Sequence, residues 1–192
     1  MPDDEQEVSI DDILLESEER MIKSLEALKR DMGNIRSGRA APSMVENIQV
    51  EYYGAPTPMK QLASISVPEA RQIMIQPFDK GSLGDIEKAI LKSDLNITPQ
   101  NDGSVVRLFL PELTMERRQD LVKQLKARVE EARVSVRNIR RDSNESIKKL
   151  AGKGHSEDEI KSSQDDTQKL TNDYIAQIDA MATQKESDIL TI

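Results

Sequence analysis

Residues 115–150 read MERRQDLVKQLKARVEEARVSVRNIRRDSNESIKKL, a stretch without a glycine or a proline that the chain can wind into one long helix. At 100° per residue, with Arg133 at zero, Arg137 falls near about 40°, Arg140 near about −20°, Arg141 near about 80° and Lys126 near about 20°. Leu121, Leu125, Val129, Ala132, Val136, Ile139, Ile147 and Leu150 gather on a separate arc of roughly 240° to 320°. Asp120, Glu131, Asp142 and Glu145 take a third arc, about 120° to 180°. One helix thus carries a stripe for burial, a cationic stripe beside it and an acidic back. The segment has eleven Lys/Arg against six Asp/Glu, a net of +5 inside a chain of net −8, so the remainder sums to −13. Two readings of the arginines stand at this point. They pair with carboxylates on neighbouring helices as a solvated face, or they form a ridge that tracks phosphates.

The rest of the composition narrows the choice of fold. Aromatic residues make up 3% of 192, with no tryptophan, so the core must be aliphatic, which suits helix bundles better than β-sandwiches. Without cysteine, disulfides, thiol catalysis and zinc–thiolate clusters are excluded. The start, MPDDEQE, lacks the basic and apolar regions of a secretory signal and the arginines of a transit peptide. No apolar run approaches the ~20 residues that span a bilayer. A cytoplasmic protein with no membrane contact is expected. Overall acidity works against non-specific adhesion to nucleic acid, so any RNA contact must be local and shaped.

Outward from the long helix, helical periodicity returns on both sides of a proline-rich middle. Ser9 with Asp12 predicts a capped helix start near Ile10. Leu14, Met21, Leu25, Leu28, Met32 and Ile35 form a coiled-coil-like seam that stops at Ser37-Gly38, a helix of roughly 26 residues and ~40 Å. From Ala41 to Pro111 seven prolines leave no room for a long helix. Strands are predicted over Ile48–Tyr53, Ile65–Val67, Gln72–Ile75 and Val105–Leu110, a turn at Gly54–Pro58, and a helix over Ser82–Ser93. After Leu150, Gly152-Lys153-Gly154 breaks the helix, and Ser156 with Glu159 forms a capping box. A last helix follows with Ile160, Ser163, Thr167, Leu170, Tyr174, Ile178 and Met181 along one seam. Three long amphipathic helices bury their stripes only by packing together. The expected fold is α+β: an antiparallel three-helix bundle, residues 1–40 and 112–192, with a small mixed α/β domain, residues 41–111, inserted between the first and second helices. Two connections, near Gly38–Pro42 and Leu110–Leu113, would let the insert swing while restricting twist.

No constellation for catalysis is present. His155, the only histidine, sits in a glycine-flanked loop. Gly152-Lys153-Gly154 superficially resembles a phosphate loop but lacks the leading strand, the preceding glycine spacing and the following Ser/Thr. Asp165 and Asp166 are adjacent on a helix, about 100° apart, and cannot share an ion. Neither metal nor cofactor is expected. The chain reads as a binding or mechanical factor rather than an enzyme, with a helical scaffold holding partner helices as the alternative.

Several motifs resemble those of the ribosome recycling factor family. They are Ile35–Ala40, Glu51–Pro58 with Gln61–Ser64, Thr114–Arg118, Ala132–Asp142 and Ser163–Asp166. The resemblance covers nearly the whole chain except the first nine or so residues, which look like a short extension. It implies an L-shaped arrangement of the bundle and an inserted β/α/β domain. It also implies that such a factor, with elongation factor G hydrolysing GTP, splits the post-termination ribosome and frees messenger RNA and deacylated transfer RNA. The family sets large-subunit ribosomal RNA against the bundle, at positions matching Arg118, Arg137 and Arg140; helical geometry adds Arg133, Arg141 and Lys126. The insert is then the part pushed by elongation factor G, with Gly38, Arg39, Ala40, Leu110, Pro111 and Leu113 as hinge positions in a monomer. Four phosphate contacts would cost roughly 50- to 150-fold in affinity for a fourfold rise in salt.

Overall fold

The computed structural model describes residues 8–191. Residues 1–7, most of the expected N-terminal extension, lie outside the described residues. The chain divides into two compact units: the described residues up to Ile35 with Gln119–Ser187, and Arg36–Arg118 with the chain from Asp188 on.

The first unit is a three-helix bundle. Helix α1, Ile10–Asn34, starts at the expected cap: the Asp12 amide donates to Ser9 Oγ at 3.1 Å and the Ser9 amide to the Asp12 carboxylate at 3.0 Å. Its buried stripe runs Ile13, Ser17, Met21, Leu28, Met32, with Leu14 and Leu25 only half-buried. Ser17 can sit in the core because its hydroxyl donates to the Ile13 carbonyl at 2.6 Å and meets Ser143 across the interface. Helix α4, Met115–Lys149, begins at Thr114, whose Oγ1 accepts from the Arg117 amide at 3.1 Å. Helix α5, Glu157–Leu190, has the Ser156–Glu159 capping box at 2.8 and 3.2 Å. On α5, Thr171 is buried where Leu170 was expected; its hydroxyl, like those of Ser163 and Thr167, donates to the carbonyl four residues back. Ser17 meets Ser143 and Ser24 meets Ser135, so α1 and α4 run antiparallel. Lys126 pairs with Glu186 and Arg133 with Asp179, so α4 and α5 do too. Ile13, Ile147 and Ile160, one from each helix, close the core at one level.

The second unit holds two antiparallel sheets with the helices α2, Met59–Leu62, and α3, Leu83–Lys92. Strands β1, Gln49–Tyr52, and β2, Ala55–Pro58, form a hairpin. Its turn is Tyr53-Gly54, both at positive φ, 49° and 78°, the backbone a two-residue primed turn demands. The expected turn over Gly54–Pro58 is therefore mostly strand. Pro56 and Pro58 fit because β2 has a partner on one side only, so positions without an N–H can face outward. A short helix α2, Met59–Leu62, which the prolines obscured, leads into β3, Ala63–Glu69. Then follow β4, Gln72–Pro77, the helix α3, Leu83–Lys92, β5, Gln100–Asn101, and β6, Val106–Phe109. The second sheet has order β3-β4-β6-β5, with every pair antiparallel. Ile73, Ile75, Val106 and Leu108 share its inner face against Ile86 and Ile90 of α3.

The division differs from the expected bounds of 41–111. The chain passes between units at Ile35/Arg36, Arg118/Gln119 and Ser187/Asp188, three crossings where two were expected. Specific contacts explain the third. Ile189 is fully buried, its carbonyl accepts from Arg118 at 2.9 Å, and Asp188 pairs with Arg39 at 3.1 Å. Ala40 and Leu110 are buried and bound to the β3–β4 turn: the Ala40 amide donates to Ala70 at 2.7 Å and the Leu110 amide to Arg71 at 2.8 Å.

Candidate nucleic-acid interface

Helix α4 spans about 52 Å at 1.5 Å per residue and carries every residue of the candidate site. Leu121, Leu125, Val129, Ala132, Val136, Ile139 and Ile147 are buried as their arc requires, which turns the cationic stripe toward α5 and solvent. The stripe is not uniform. Arg133 is held closely: Nε and Nη2 donate to Asp179 Oδ1 at 2.9 and 2.5 Å, and Nη1 to Glu130 Oε2 at 3.2 Å. Hydrogen bonding to Asp179, with help from Glu130, pushes its pKa above the ordinary arginine value. With a side chain 31% exposed, Arg133 ties α4 to α5. Lys126 lies 3.5 Å from Glu186 of α5. Arg137 Nη1 donates to Glu130 Oε1 at 3.2 Å and Arg140 Nη1 to Gln168 Oε1 at 2.9 Å. Arg141 is exposed and makes no ion pair among the described residues.

Arg118 does not join them. It is 7% exposed; Nε donates to the Leu113 carbonyl at 3.2 Å and Nη1 to the Ile189 carbonyl. A guanidinium so placed serves the backbone around it, and its removal from the outward set is a correction. The pairing reading accounts for Arg133 and Lys126, which meet carboxylates of α5, and for Arg137, which meets Glu130; Arg140 donates to the neutral Gln168, and Arg141 makes no ion pair among the described residues. Arginine suits an outward, phosphate-facing position because its planar donors match phosphate oxygens and are weakly hydrated. Glu130, on the cationic arc near about 60°, is the residue the wheel could have flagged.

The hinge positions all lie in the second unit. Gly38 has φ +79°, and a Cβ there would stand 3.1 Å from Leu113 Cγ and Cδ1. Arg39 is exposed apart from its Asp188 pair, Pro111 is exposed and Leu113 half-buried. His155 Nδ1 lies 3.7 Å from Glu159, and the described residues hold no cluster of three metal-ligating side chains.

Residues 28–190 match the model of the family described as ribosome recycling factor. The ribosome-recycling factor of Listeria welshimeri is 54% identical over 94% of this chain and 98% of its own length. That of a Geobacillus species is 53% identical over 95% and 100%. The chain belongs to the ribosome recycling factor family. Among solved members of the family, a solution structure superposes with a TM-score of 0.76 at 45% identity, covering 95% of this chain and 98% of that one. The Thermus thermophilus ribosome recycling factor, described with Escherichia coli elongation factor G on the E. coli post-termination complex, gives 0.66 at 42% identity, covering 95% and 99%. The α+β architecture of bundle and small sheet unit is that of the family. No helix among the described residues is long and apolar enough to cross a membrane.

Proposed function

We propose that this protein takes apart the post-termination ribosome together with elongation factor G and GTP, releasing messenger RNA and deacylated transfer RNA. It grips large-subunit ribosomal RNA through the outward arginines of α4. The near full-length likeness to a factor described on a post-termination complex with elongation factor G carries this reading. The arrangement of Arg137, Arg140 and Arg141 along one arc, the first two half-buried and the last exposed, supports the RNA contact, since folded RNA is recognised largely by shape and phosphate position. The factor works as a cytoplasmic monomer, without membrane, metal or cofactor, by binding rather than catalysis; the GTP site belongs to the partner. Elongation factor G pushes the sheet unit. Bending falls at Gly38, Arg39, Pro111 and Leu113, while Ala40 and Leu110, tied to the β3–β4 turn, move with the sheet.

Subunit splitting, followed by light scattering with purified ribosomes, elongation factor G and GTP, tests the whole reading; absence of splitting would end it. Arg140→Ala tests the grip. The hydrogen bond from Arg140 goes to a neutral amide, so the variant should melt within a few degrees of the parent yet bind large subunits more weakly. Equal losses in both measurements would make Arg140 a structural residue.

A further inference from the structure

The ridge carries its own competitor. Glu130 sits near about 60° on the α4 wheel, between Arg137 at about 40° and Arg141 at about 80°. Its two oxygens are divided between two cations: Oε1 accepts from Arg137 and Oε2 from Arg133, both at 3.2 Å. The carboxylate is 54% exposed and the Arg137 side chain 43%, so water and salt reach both. An exposed pair of this kind changes an equilibrium by only about 1.4- to 5-fold. A phosphate offers the same fork-accepting geometry, and a guanidinium accepts either partner.

We infer that Glu130 occupies the anion-accepting side of Arg137 in the free protein and gives way to an RNA phosphate on docking. The inference rests on the ridge reading above and adds a residue that sets its affinity. The exchange subtracts the same small free energy from every RNA contact that takes Arg137. Arg133 keeps its two bonds to Asp179 throughout, so Arg137 is the cation released.

The neighbouring Glu131 supplies an internal control. It carries the same charge and is exposed, but it lies near about 160° and pairs with Arg128 at 3.0 Å. Full-length parent, Glu130→Gln, Glu131→Gln, Arg140→Ala and the double variant Arg137→Ala/Glu130→Gln are titrated with purified large subunits across a salt series. Thermal melts confirm that each is folded, and Glu130→Ala repeats the measurement with a second side chain. Glu130→Gln should bind roughly 1.4- to fivefold tighter at low salt, because the parent must first break the exposed pair. Glu131→Gln should match the parent, and the double variant should lose the gain. Parent-like or weaker binding by Glu130→Gln, while Arg140→Ala binds poorly, overturns the inference and leaves the ridge standing. An equal gain from Glu131→Gln also overturns it, by reducing the effect to net charge. Parent-like binding by Arg140→Ala brings down the ridge itself, and this inference with it.

Discussion

Arg118 falls near about 300° on the α4 wheel, inside the apolar arc and away from the cationic one. Simple arithmetic on the sequence therefore places it inward, whereas the family motif alone places it on RNA. Two backbone carbonyls depend on its guanidinium. Arg118→Ala should lower unfolding free energy by about 1 to 3 kcal/mol, the cost of stranding buried acceptors, read by urea denaturation. Arg118→Lys should recover only part of this, because an ammonium lacks the fork that spans two carbonyls. Unchanged stability with lost ribosome binding would return the residue to the interface. Glu130 was equally legible, three residues before Arg133 and seven before Arg137. The Arg133–Asp179 pair was not, since no local spacing links residues 46 positions apart.

Elements begin and end where local chemistry says they must. Ser9, Thr114 and Ser156 each supply a side-chain oxygen to a free helical amide, and Ser9→Ala should cost about 1 kcal/mol in thermal unfolding. Gly38 takes a backbone that other residues adopt at a cost of about 1 to 2 kcal/mol, and an added methyl would press on Leu113. Gly38→Ala should therefore lower the melting temperature, and an unchanged melt would show that the linker relaxes freely. In the turn before β6, the Asp102 carboxylate accepts from the Val105 and Ser104 amides and the Ser104 hydroxyl, which holds its pKa at about 2 against an ordinary 3.8. A depressed folded-state value means the contribution is complete above about 4 and is lost as pH falls through about 2. Carboxyl chemical shifts should place this titration well below 3.8, and a midpoint near 3.8 would mean that the turn opens in solution. Strand β2, like α2 and β5, was hidden in the sequence; its two prolines in four residues read as a turn until the hairpin shows that they lie on an outer edge.

For the whole molecule, the ridge proposed above rests on three arginines, Arg137, Arg140 and Arg141, where four contacts were first expected. Affinity for large subunits should then fall about 20- to 40-fold for a fourfold rise in salt, and a flat response would assign the stripe to internal pairing. A rigid cross-link across the linker residues 36–39 should spare binding and abolish splitting; splitting that persists would remove the hinge. Helix lengths, caps and the buried arc of α4 were determined by the sequence alone, because each is written in spacings of three, four or a few residues, and the family was legible in its motifs. Only the tertiary structure decided which basic side chains of α4 meet partners from α5 and where the units divide. Those outcomes depend on Asp179, Glu186 and Ile189 meeting α4 from the far end of the chain. A charge is defined by its neighbours in space, and the helical wheel shows only its neighbours along one helix.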